Sequence, residues 1–219
     1  MTLAGTSETP AFAGPLPLNA AEVRVLGSLL EKRRTTPDAY PLSLNALRLA
    51  CNQSTNRDPV VAYDESTVRD AAQRLQRRGL ARLASAAGSR AAKFRHLLDD
   101  ALGLGAGEEA LMCVLMLRGV QTPGELKLRA ERMHAFADLA AVHEALAQLA
   151  ARGLVQSLPR RPGQKEERYA QLLAGEPSDD AAPGGLAAAP APGVGGDGLA
   201  ERVARLEREV AELRAHAGI

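Results

Sequence analysis

Aromatic side chains are scarce: the chain of 219 residues has no Trp, three Tyr and three Phe. Any core must be mainly aliphatic, which suits small helical domains. Cysteine is nearly absent too. Cys51 and Cys113 stand alone with no CxxC spacing, which excludes a disulfide framework and a cysteine-rich zinc site. Lysine is rare, at 4 of the 27 basic residues. A GC-rich genome favours Arg and Ala, so the arginine excess alone argues little for nucleic-acid binding. The longest uninterrupted apolar run, Ala110–Leu117, has eight residues, against the roughly 20 needed for a membrane span. No Lys or Arg precedes Arg24, and no apolar signal core follows Met1. A soluble cytoplasmic protein with no membrane partner is expected.

Enzyme signatures are missing as well. The chain has no GxSxG, HExxH or P-loop. Gly103-Leu104-Gly105-Ala106-Gly107 lacks the spacing of a dinucleotide loop and is read as linker. His96, His134, His143 and His216 have no metal-ligand partners at helical spacing and are read as single packing or surface histidines. No catalytic residue, metal or cofactor is expected.

Charge is present but unevenly spread. Residues 20–98 carry 14 Lys/Arg against 7 Asp/Glu, residues 104–173 carry 9 against 8, and residues 174–219 carry 4 against 8. A basic front half and an acidic tail suggest a first domain that faces a polyanion.

Helical and turn signals then divide the chain. Residues 1–18 lack periodicity and are read as disordered. Asn19 with Glu22 forms a capping-box pattern before Val23, Leu26, Leu29 and Leu30. Thr35-Thr36-Pro37 ends that helix, and Tyr40-Pro41 forces an extended step. Ser43 caps a second helix through Leu44, Leu47 and Cys51. The stretch Asn52–Pro59 is loop by composition, and its residues are assigned to turns and capping. Asp64 caps a third helix with Val68, Ala72 and Leu75 inward, and Gly79 stops it. Leu80–Ala84 and Ala91–Leu97 pair as a hairpin around Ala87-Gly88-Ser89.

The pattern recurs. Asp64, Val68, Leu75 and Gly79 map onto Asp138, Val142, Leu149 and Gly153 at a constant offset of 74. Phe94–Leu98 maps onto Tyr169–Leu173 at 75, and Glu22 onto Glu108 at 86. About 12 extra residues therefore precede the first copy's third helix. Thr122-Pro123-Gly124-Glu125 opens the second copy's second helix. Three helices followed by a hairpin is the winged-helix order. The expected fold is mainly α with small β-hairpins (α+β): winged-helix domains at 19–100 and 104–173, a flexible linker at 174–198 and a coiled-coil-like helix at 199–216. In that last segment Leu199, Val203, Leu206, Val210 and Leu213 place Leu at d and Val at a, the choice that favours parallel pairs. Arg202 would meet Glu207 of a second copy, and Glu209 would meet Arg214. A homodimer is expected, with an amphipathic helix docked on its own chain as the competing reading.

Several ordered segments resemble the YceH-like family of uncharacterised bacterial proteins. They are Glu31–Pro37, Tyr40–Asn45, Ala50–Gln53, Asn56–Val60, Leu117–Leu126, Arg132–Phe136 and Leu158–Gln164. The resemblance covers residues 19–173. It implies tandem winged helices, often with a coiled tail, and it carries no established activity and no catalytic residues. Gln171 departs from the family's Arg-Tyr-x-His-Leu-Leu ending.

The candidate reading helix is the first copy's third. Its outer face would show Ser66, Asp70, Gln73 and Arg77, flanked by Arg69 and Arg74. Glu65–Arg69 and Asp70–Arg74 have the spacing and order of helix ion pairs, leaving Gln73, Arg77 and Arg78 unpaired. The second copy's third helix would instead show Ala140, Glu144, Ala147 and Ala151, a face suited to packing on another helix or subunit. Its wing carries Arg160, Arg161 and Lys165, suited to phosphate contacts. The expected function is non-enzymatic binding of nucleic acid, with duplex DNA the candidate partner. The alternative is a protein-interaction module with an unknown protein partner.

Overall fold

The computed structural model describes residues 17–84, 92–160 and 166–175. It is a mixed α and β structure with seven α-helices and small antiparallel sheets among the described residues. The expected segments at 1–16, the turn at Ala87-Gly88-Ser89, and residues 174–216 from Glu176 onward lie outside the described residues.

The first half begins with α1 (Ala20–Thr35), capped by Asn19, whose side chain accepts from Glu22 N while Glu22 returns a bond to Asn19 N. A short strand, β1 (Leu42–Ser43), leads into α2 (Leu44–Cys51), capped by Ser43. After the loop, Asp64 caps α3 (Glu65–Arg77), with Val68, Ala71, Ala72 and Leu75 fully buried. Gly79 adopts φ +72°, the left-handed turn that glycine takes without strain. Strands β2 (Ala81–Ala84) and β3 (Lys93–His96) pair antiparallel, and β1 joins β3 on its other edge. The order β1-β3-β2 closes this half.

A short helix that sequence periodicity is too brief to show, α4 (Leu98–Leu102), comes next. It changes the reading of the glycine-rich stretch. Gly103 ends α4 in a left-handed conformation, Gly105 begins α5 (Ala106–Arg118), and Gly107 lies within α5. The segment is two helix ends back to back, not a linker. The second half continues with α6 (Pro123–Ala130), α7 (Leu139–Ala151), β4 (Val155–Leu158) and β5 (Arg168–Gln171).

The two halves repeat bond for bond. Leu80 N donates to Leu75 O and Leu154 N to Leu149 O, each at 2.9 Å. Leu97 N reaches Leu80 O at 2.8 Å, and Leu172 N reaches Leu154 O at 2.9 Å. The Leu42–Phe94 pairing of β1 with β3 recurs as a single bridge between Gln121 and Tyr169. The N-caps Ser43 and Thr122 are 79 apart, between the offsets of 86 and 74. The extra residues of the first copy are thus split, seven before the second helix and five between the second and third.

The largest departure from a beads-on-a-string picture is the centre. Every residue of α1 from Glu22 to Glu31 and of α5 from Glu108 to Leu117 is buried. A helix buried all round needs partners around it, and α1 packs against α2, α3 and α5. Leu18, just before the expected first helix, is itself buried, and its N–H donates to Leu173 O at 2.7 Å.

Candidate nucleic-acid interface

The Asp64 cap and the inward apolar stripe fix which side of α3 meets solvent. Arg69, Asp70, Gln73 and Arg77 are exposed on it, as the helical spacing predicts. Arg69 pairs with Glu65. The expected Asp70–Arg74 pair does not form. Arg74 turns toward α1, where its Nε lies 3.1 Å from Glu22 Oε1. Arg78 follows it, 3.7 Å from Glu22 Oε2, and also donates to Pro17 O at 3.3 Å. Glu22 is fully buried, so its charge needs these cations.

The repeat shows why. Arg152 stands where Arg78 does and reaches Glu108, the counterpart of Glu22, at 3.3 Å. An arginine just past the third helix holds the buried glutamate of the first helix in both copies. Arg74 and Arg78 are therefore structural, and Arg78 is not the unpaired group that sequence spacing suggests. Among the described residues, Arg77 and Gln73 make no ion pair or side-chain hydrogen bond, which leaves them available to a ligand.

A second basic element comes from the hairpin register. Arg82 and Arg95 face each other directly across β2 and β3. They lie on the face opposite the buried Phe94 and His96. Like charges directly opposite are unfavourable unless an anion sits between or over them. Only the strand register reveals this pair, since 13 residues separate them in sequence.

The second copy is different. Ala140, Ala147 and Ala151 are exposed, and no described helix of the chain covers them, so of the two expected contacts, another helix or another subunit, the face is left open to a subunit. Arg160 is exposed. Arg161 and Lys165 lie outside the described residues, as do Leu199, Val203, Leu206, Val210 and Leu213.

His96 is not a single packing histidine. It is buried at the end of β3 among charges from three other segments, α1, α4 and α5. Its Nε2 lies 3.2 Å from the Arg33 guanidinium on α1 and 3.5 Å from Glu109 Oε1 on α5. A guanidinium only donates, so Nε2 accepts and the ring proton sits on Nδ1, 3.5 Å from Asp99 Oδ1 on α4. Arg33 pairs with Asp99, and Arg34 with Glu109 at 2.5 Å. Burial pushes the His96 imidazole down to about 4, with the Asp99 charge opposing and the neighbouring arginines adding to the shift.

With this geometry in place, comparison with known proteins gives the family. The family model described as "Protein of unknown function, DUF480" matches residues 18–164. The chain belongs to this family. A UPF0502 protein of Solibacter usitatus is 50% identical over 199 residues, covering 90% of this chain and 93% of the relative. One from Pelobacter propionicus is 52% identical over 199 residues, with 90% of each chain covered. One from Geotalea daltonii is 56% identical over 162 residues, covering 73% of this chain and 74% of the relative. The matched span starts at Leu18, which is also the first buried residue among the described ones.

The His96 cluster makes a pH prediction. In the unfolded chain the imidazole titrates near 6.5, whereas in the folded chain it stays neutral to about 4. The unfolded state therefore binds the extra proton between these values. Stability is full above about pH 6.5 and falls as pH drops toward 4. Denaturant midpoints measured from pH 7 to 4.5 are expected to decline, and His96→Gln should flatten the decline. A wild-type midpoint that stays level over this range would show that His96 charges freely in the folded state.

Proposed function

We propose that the protein is a non-enzymatic, cytoplasmic tandem winged-helix protein whose first copy binds duplex DNA. The observation that carries this reading is the solvent face of α3, where Arg77 and Gln73 stand exposed without partners. Arg and Gln at such positions suit base edges in a major groove. The cross-strand Arg82 and Arg95 add phosphate-binding capacity on the wing. No helix among the described residues is long and apolar enough to cross a membrane. Self-association through the Leu199–Leu213 seam belongs to the same proposal and is supported by its heptad spacing.

Affinity for a labelled duplex should fall steeply with salt, because each phosphate contact releases counterions. Arg77→Ala should weaken binding and reduce the slope of log affinity against log salt by about 1 if it contacts phosphate. Low-salt affinity no better than that of a neutral control protein would overturn the DNA reading. A second reading, a protein contact, is favoured by the second copy: its alanine face is bare, and Leu128 on α6 is 78% exposed.

A further inference from the structure

The two copies meet through α1 and α5, and their contacts are reciprocal. The offset of 86 that relates Glu22 to Glu108 relates Gly27 to Cys113 and Glu31 to Leu117. Gly27 and Cys113, counterparts of each other, touch: the Cys113 thiol donates to Gly27 O at 3.4 Å. Gly27 also packs on Leu117, which a Cβ at position 27 would approach to 3.0 Å. Under the same offset the counterpart of that pair is Glu31 and Cys113. Burial pushes the Cys113 thiol up, and the nearby Glu31 charge adds to it. Arg34, near the end of α1, pairs with Glu109 in the first turn of α5, so the helices run antiparallel. Self-touching counterparts, mirrored pairs and antiparallel helices are the signature of a two-fold interface. The single chain is built as a dimer of its own repeat.

A two-fold pair with two reading faces would engage an inverted repeat, as dimeric helix-turn-helix proteins do. Here the faces have diverged. Arg69, Gln73 and Arg77 on α3 correspond to His143, Ala147 and Ala151 on α7, all exposed. The acid is retained, with Glu144 at the position of Asp70. The second face has lost its arginines and its amide and kept a carboxylate, so it repels phosphate and offers almost no bonds to a base. We propose that each chain is an internal dimer with one reading half, which engages a single duplex segment lacking an inverted repeat. This rests on the DNA reading of α3 given above.

The test is selection of the full-length protein on a randomised duplex library, followed by footprinting of the recovered duplexes and counting of chains per complex by mass. One protected segment per chain, with no inverted repeat inside it, is expected. Two segments per chain, or an inverted repeat read by one chain, overturns the proposal while leaving the DNA reading intact. No enrichment of any duplex, or an Arg77→Ala variant with unchanged affinity and footprint, overturns the DNA reading itself. Ala147→Gln with Ala151→Arg, both at exposed positions, should add a second duplex segment per chain and raise the salt slope by about 1. A folded double variant with an unchanged footprint would show that α7 does not occupy the position equivalent to α3.

Discussion

Arg57→Ala is expected to destabilise the fold by about 3–5 kcal/mol, the range for removing one partner of a buried ion pair. Arg57 has a fully buried side chain in the loop between α2 and α3. Its guanidinium reaches Glu31 Oε2 at 2.6 Å and Oε1 at 3.1 Å. It also donates to Ala50 O, Asn56 O and Gln53 Oε1. Burial pushes the Glu31 carboxyl up, but the Arg57 hydrogen bonds and charge outweigh it and hold the group below the usual carboxylate range. Truncation would leave that carboxylate buried, with Lys32 as its remaining cation at 3.5 Å. The damage would not stay local, since the same loop ties the copies together. Asp58 N donates to Leu117 O at 2.9 Å, and Arg118 donates to Asn56 Oδ1 at 2.9 Å. Denaturant unfolding measures the loss. Replacing both partners, Glu31→Leu with Arg57→Met, should recover much of it, because no charge is then stranded. A loss below about 1 kcal/mol for Arg57→Ala would mean that the pair contributes like an exposed one.

Gly27→Leu is expected to be the most damaging single change at the α1–α5 seam, at about 1–3 kcal/mol or more from overpacking. A Cβ at this position would lie 3.0 Å from Leu117 and 3.1 Å from Met116, both buried. A leucine side chain has no room without parting the helices, and it would disturb the Cys113 bond to Gly27 O. Gly27→Ala should cost far less. The tight methyl is offset by the roughly 1 kcal/mol that Ala gains over Gly within a helix. Thermal or denaturant unfolding of the two variants separates these terms. If Gly27→Leu melts like the wild type, the central helices are looser than this packing implies.

The family resemblance, the helices and their caps were legible because they rest on local chemistry. Asn19, Ser43, Asp64, Thr122 and Asp138 each satisfy backbone donors within three residues, so their spacing is written in the chain itself. The inward stripe Val68, Ala72 and Leu75 follows helical period for the same reason. Gly79 and Gly153 were readable as stops because only a left-handed turn needs glycine there. Long-range partners were not legible. Spacing paired Arg74 with Asp70, four residues away, but a buried carboxylate outbids an exposed one, and Glu22 lies 52 residues distant. The loop 52–59 looked like turn and cap chemistry because nothing local marks Arg57 as the partner of Glu31. His96 looked solitary because its carboxylates come from α4 and α5, and α4, at five residues, is too short to show a period.

By itself, then, the sequence determined the longer helices and the hairpins, their order and their duplication, since each depends on interactions within a few residues, whereas the short β1 and α4 carried too little pattern to read. Tertiary structure decided which charges remain free to meet a ligand, and that the two copies share a central helix pair. Burial made those choices. Desolvation draws cations to Glu22, Glu31 and Glu108 wherever they lie along the chain, and it leaves Arg77 exposed on α3.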